Sequence, residues 1–116
     1  MSESTARERI TAAVMAWPGV EAVEGERGEF SLRYRGRELG HLHGDRVAHF
    51  SFPAEVGEAL RRAGRVGPHP VAPQSVKWAS RGIREAQDEA EVIALLRLNY
   101  DRLVARSAGG QRSGAR

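Results

Sequence analysis

Four histidines are the residues of this chain best suited to chemistry, and three of them, His41, His43 and His49, fall within nine residues. The fourth, His69, stands between Pro68 and Pro70. A free imidazole titrates near 6.5, so it exchanges protons at physiological pH and, when neutral, ligates metals. On a strand, residues two apart share a face, which sets the roots of His41 and His43 roughly 7 Å apart. Two rings at that spacing converge on one ion, and a neighbouring strand or loop supplies a third ligand while a coordination position stays open. Asp45 could orient one imidazole from behind. Asp45, Trp78 and Arg37 are the candidate ligand contacts around the histidines.

Register decides whether His49 joins the pair. A two-residue turn at Gly44-Asp45 pairs His43 with Arg46 and puts His41 opposite Ala48, with His49 on the other face. A three-residue loop puts His41 directly opposite His49. Gly-Asp suits both, and the choice stays open. So do three readings of the cluster: a divalent metal such as zinc held by His41, His43 and His49, a catalytic or ligand-contacting group without metal, and structural imidazoles. Leu39, on the parity of His41, suggests that this face touches a core. His69 alone reads as an exposed turn residue, and Trp78 as core more readily than as a platform. Arg33, Arg35 and Arg37 make a basic hairpin tip, a weak phosphate site because Glu29 and Glu38 are near in sequence.

Other chemistries are not written here. The chain has no cysteine, which excludes disulfides, thiolate catalysis and thiolate-bound metal, and suits a reducing compartment. There is no Gly-x-Gly-x-x-Gly, no Walker-type loop and no Gly-x-Ser-x-Gly elbow. Ser51, Ser75 and Ser80 lack a nucleophile motif, and Glu85, Asp88, Glu89 and Glu91 read as a solvated helix start. The most apolar stretch, Ile10–Trp17, is too short to span a bilayer, so a cytoplasmic protein without membrane contact is expected. The formal net charge of +3 is carried by Arg106, Arg112 and Arg116, because all 15 acids lie between Glu3 and Asp101. The rest of the chain balances to zero, and nucleic acid is not an expected partner.

The elements that must position the histidines follow from pattern. Thr5-x-x-Glu8 is a capping box, followed by an apolar stripe Ile10, Ala13, Val14, Trp17 that Pro18-Gly19 ends. Strands are expected at Val20–Val23, Phe30–Tyr34, Arg37–His43 and Arg46–Phe52, joined by tight turns into an antiparallel meander. Pro53 opens a second helix with Val56, Leu60 and Ala63 inward and Gly64 as its stop. The segment Arg65–Gln74 holds three prolines and reads as neither helix nor central strand. A fifth strand starts at Val76 and runs to about Ile83. A last helix opens near Asp88 and buries Ile93, Leu96, Tyr100 and Leu103. The expectation is an α+β fold in the order α-β-β-β-β-α-β-α, with helices packed on one face of a sheet of about five strands. Residues 1–105 form the single domain and residues 106–116 a disordered basic tail.

The run Arg37-Glu38-Leu39-Gly40-His41-Leu42-His43, then His49, then His69-Pro70, and on through Trp78 to Asn99-Tyr100, resembles the luciferase-domain family. That domain occurs in fungal luciferases and in small bacterial proteins. The fungal enzymes oxidise a hydroxylated pyrone with molecular oxygen and emit light, without an organic cofactor. The resemblance therefore implies a His-assisted, oxygen-dependent oxidation of a small phenolic or enolic compound, with His41, His43, His49 and His69 in the site. The Trp17-Pro18-Gly19-Val20 start, the Phe-Pro before the second helix and the final helix are also similar to MmcQ/YjbR proteins, compact α+β domains associated with ligand or nucleic-acid binding. That likeness implies the alternative, a non-catalytic binding module. A homodimer formed through a sheet edge or the last helix is a third expectation.

Overall fold

The capping box forms as the sequence writes it: Glu8 N–H donates to Thr5 Oγ1 at 3.1 Å, and Thr5 N–H donates to Glu8 Oε1 at 2.8 Å. It opens α1 (Ala6–Met15), which buries Ile10 and Val14. A computed structural model describes residues 3–114 of the chain, with side chains to residue 108. After α1 come β1 (Val20–Glu24), β2 (Phe30–Tyr34), β3 (Arg37–His43), β4 (Val47–Ser51), α2 (Ala54–Arg62), β5 (Gly67–Pro68), β6 (Trp78–Gly82) and α3 (Ala86–Gly114).

The strands form one antiparallel sheet of six, in the order β1-β2-β3-β4-β6-β5. The class is α+β as expected, with one strand more than the pattern suggested. The addition is β5, two residues inside the proline-rich segment, with Gly67 paired to Ser80. Pro68 is tolerated there because an edge strand can leave an N–H position out of the ladder.

The strands divide their residues between the two sheet faces. Leu32, Leu42, Ala48, Phe50 and Ala79 face the helices and join Ile10, Val14, Val92, Leu95 and Leu96 in the core. Each of the last two, fully buried, stabilises the fold by roughly 1.5–3 kcal/mol relative to an exposed leucine. Asn99, also buried, ties α3 to the sheet: its Nδ2 donates to the carbonyls of Leu39 and Ser51 at 2.9 and 3.1 Å. The opposite face carries Val23, Ser31, Arg33, His41, His43, His49 and Ser80, and no helix among the described residues lines the cleft there.

Element ends differ from the sequence pattern in small ways. α1 stops at Met15, and Trp17 lies beyond it with its ring centroid 5.2 Å from that of Tyr100. Pro53 is the N-cap of α2 and not its first turn. α3 opens two residues before Asp88 and its backbone continues to Gly114, through residues expected as a tail. Among the described side chains, its last buried core residue is Leu103, with Val104 packed against the core.

Candidate functional site

The turn between β3 and β4 spans three residues, Gly44 to Arg46, so His43 pairs with Val47 and His41 with His49. Gly44 takes φ +60°, a conformation glycine adopts without steric cost. The odd loop frees Asp45 to accept the Arg7 N–H at 2.8 Å, pinning the turn to the start of α1. Asp45 therefore serves a helix N-terminus and orients no imidazole.

Between β2 and β3 the ladder slips. Leu32 pairs with Gly40 and Arg33 with Glu38, which leaves Leu39 as an extra residue in a β-bulge. Strict alternation would place Arg37 and Leu39 with His41. The bulge reverses this: Leu39 is fully buried in the core, Arg37 lies beside Arg102 and Arg106 of α3, and Glu38 joins the histidines. Gly40 makes the bend possible, since a Cβ there would stand 2.8 Å from Leu96 and 3.0 Å from the His49 carbonyl oxygen. Two sequence expectations fall with it. The histidine face is not the core face, and Arg37 is not among the histidines.

Glu38 is the functional residue that alternation missed. Its Oε1 accepts from Ser31 Oγ at 2.7 Å, and its Oε2 lies 3.1 Å from His41 Nδ1. Arg33 Nε in turn donates to Ser31 Oγ at 2.9 Å. Burial alone would raise the Glu38 pKa, but the bonds from His41 and Ser31 outweigh it and hold the carboxyl below the usual range. The one signal for this placement was Gly40, because glycine inside a strand often marks a bulge.

The four imidazoles converge. Ring centroids are 4.9 Å apart for His41–His43, 5.2 Å for His41–His49 and 4.5 Å for His43–His49. The short strand β5 delivers His69 to 4.4 Å from His49, so it is no isolated turn residue. Trp78, a candidate ligand contact that by itself reads more readily as core, is 44% exposed and sits edge-on to His69 at 5.7 Å. Together the four rings line a cleft of about 390 Å³, rimmed by Val23, Arg27, Glu29 and Val71.

Burial and then the neighbouring His69, His43 and His41 push the His49 pKa down to about 4. Burial, followed by His41, also lowers that of His43. Both rings stay neutral at pH 7 and present lone pairs.

The bonds fix two tautomers. Facing the Glu38 carboxylate, His41 carries its proton on Nδ1 and turns the Nε2 lone pair away from it. His69 Nδ1 accepts the Val71 N–H at 3.1 Å, so a neutral His69 is a donor at Nε2 and not a ligand there. His49 Nε2 is buried and has no partner among the described residues.

His41, His43 and His49 could hold a metal ion, since one nitrogen of each lies within 4.8 Å of the other two. Across a tetrahedral zinc with bonds of about 2.0–2.1 Å the nitrogens would stand about 3.3 Å apart, so binding would draw the three rings closer together. The orphaned nitrogen of His49 and the carboxylate behind His41 both fit such a group.

Fold and site define a small α+β domain whose uncovered sheet face carries a four-histidine cleft. The chain belongs to the Luciferase domain family: that family's model matches residues 36–99, more than half of the sequence, from the β2–β3 turn to Asn99. The matched segment contains Glu38, all four histidines and Trp78. No curated protein and no solved structure matches the chain. No helix among the described residues is long and apolar enough to cross a membrane.

Proposed function

We propose that the cleft binds a small enolic or phenolic compound, that His41 takes its hydroxyl proton, and that molecular oxygen is the co-substrate. The observation that carries this reading is the Glu38–His41 pair at 3.1 Å inside the convergence of four rings. A carboxylate on Nδ1 orients the ring, leaves Nε2 as the base and stabilises the imidazolium that forms. The neutral rings of His43 and His49 add no competing positive charge, and His69 Nε2–H would donate to a substrate oxygen. The reaction balances without a further oxidant. The hydroxyl proton passes to His41 Nε2, the enolate carbon forms a bond to oxygen, and the proton returns to the distal oxygen, giving a hydroperoxide. Family membership supports the use of oxygen, and the cysteine-free composition suits a cytoplasmic setting.

Oxygen uptake with a panel of enolic and phenolic compounds tests this, alongside NMR of the histidine ring protons. His41→Gln should reduce uptake by roughly 10²–10⁴-fold, the span general bases supply, and Glu38→Gln less, with the fold intact by circular dichroism. Ring signals of His41 and His43 that stay unmoved across the panel would overturn the proposal. Binding without oxygen uptake would instead favour a non-catalytic ligand module.

The partnerless His49 nitrogen favours a second reading, in which His41, His43 and His49 bind a divalent ion such as zinc. A metal there would polarise an enolic oxygen as a Lewis acid. Protein purified without chelator should then carry near-stoichiometric metal, and zinc added to stripped protein should raise its melting temperature. His43→Gln should weaken both effects. Metal-free protein with an unchanged melting temperature on adding zinc would leave the base reading alone.

A further inference from the structure

On the helix side of the sheet, the β2–β3 turn meets the far half of α3. The turn is tight: Tyr34 pairs with Arg37 across Arg35 and Gly36, both at positive φ. Arg37, Arg102 and Arg106 there line one concavity of about 280 Å³. Arg37 and Arg106 also line an adjoining one of about 220 Å³, with Arg35 and Tyr34. None of these four arginines has a carboxylate partner among the described residues, whereas Arg9, Arg62, Arg65, Arg81 and Arg97 all do.

Of the two acids that sequence proximity set against this tip, Glu29 is turned away, while Glu38 lines the first concavity as well as the histidine cleft. Glu29 lines the histidine cleft, and both oxygens of Glu38 are engaged by Ser31 and His41. Arg102 is held in place: its Nη2 donates to Asn99 Oδ1 at 3.0 Å, and Asn99 is itself clamped to Leu39 and Ser51. The Arg102 Nε is buried without an acceptor among the described residues. Burial, followed by Arg106 and Arg37, lowers the pKa of this guanidinium, the signature of like charges gathered with no counter-charge. Convergent guanidinium forks match the geometry of a tetrahedral oxyanion, which would accept the orphaned N–H and offset the mutual repulsion.

We infer that Arg37, Arg102 and Arg106 form a binding site for a phosphate-type dianion, on the face of the sheet opposite the histidine cleft. The inference stands independently of the reaction proposed for that cleft.

Titration calorimetry of the full chain with inorganic phosphate, at constant ionic strength set by chloride, tests it. Saturable binding of one phosphate per chain is expected. Arg106→Gln and Arg37→Gln should each weaken it at least about fivefold, the effect of losing one charge-assisted contact of about 1 kcal/mol or more. Arg62→Gln, on α2 and paired to Glu58, and His41→Gln, in the cleft, should leave it unchanged. Phosphate heats that match chloride alone, or an Arg106→Gln chain that binds like the parent, would overturn the assignment. So would a single-stranded oligonucleotide bound far more tightly with a steep salt dependence, which would make the ligand a polymer backbone.

Discussion

At the scale of single residues, His49 makes the sharpest prediction. It is 8% exposed, and burial with three neighbouring imidazoles holds its pKa near 4 against an ordinary 6.5. Between those values the unfolded chain binds a proton that the folded chain refuses, so stability falls as acid is added. The full stability is present above about pH 7, and up to about 3 kcal/mol is lost on approaching pH 4. His43 shifts in the same direction and steepens the slope. Urea midpoints of chelator-treated protein at pH 7.5 and 5 measure it, and His49→Gln should flatten the dependence. A variant with the parent slope would show that another group titrates. His41 and His43 were legible as a pair because His-x-His on a strand fixes a shared face, whereas His49 hung on an open register and His69 was joined to them only by the family resemblance. Glu38 was not, because period-two arithmetic assumes an unbroken pleat. Asp45 could not be read from sequence either, since its acceptor role depends on Arg7, 38 residues away.

At the scale of elements, close backbone approaches carry the architecture. A Cβ on Gly57 of α2 would lie 1.8 Å from the Val76 carbonyl oxygen, an atom that cannot move without shifting the chain into β6. Gly57→Ala should therefore cost on the order of 2–4 kcal/mol, read as a lowered urea midpoint at unchanged slope. Local chemistry made most elements readable. The capping box, the Pro53 start and the Gly64 stop of α2, with φ +73° at that glycine, are all sequence signals with mechanisms. β5 was hidden because two residues carry no period, and its prolines argue against a strand anywhere but an edge. The three-residue β3–β4 turn was one of two registers that Gly44-Asp45 allowed, and a contact with α1 accompanies the one adopted.

For the molecule as a whole, the α+β class followed from alternating strands flanked by amphipathic helices. Which sheet face remains uncovered did not, because the Leu39 bulge inverts the parity from which that face would be judged. Among the described side chains, the last buried core residue of α3 is Leu103, with Val104 packed against the core, and Arg106 serves the proposed anion site. A chain ending at Ala108 should therefore melt within about 2 °C of the full chain, a difference well under 1 kcal/mol for this size. It should also keep both phosphate binding and the histidine ring shifts. A large drop in melting temperature would show that the final residues contribute to the fold.

One extra residue in a strand thus assigns the charge of two separate chambers. Were the same residues laid in an unbroken pleat, Arg37 and Glu38 would trade sides. A guanidinium would stand among the imidazoles, and a carboxylate would stand among the arginines. A lineage or a designer straightening this strand with every residue kept would reverse the electrostatic polarity of both chambers, whereas loss of the Leu39 codon alone would leave Arg37 and Glu38 on their present sides.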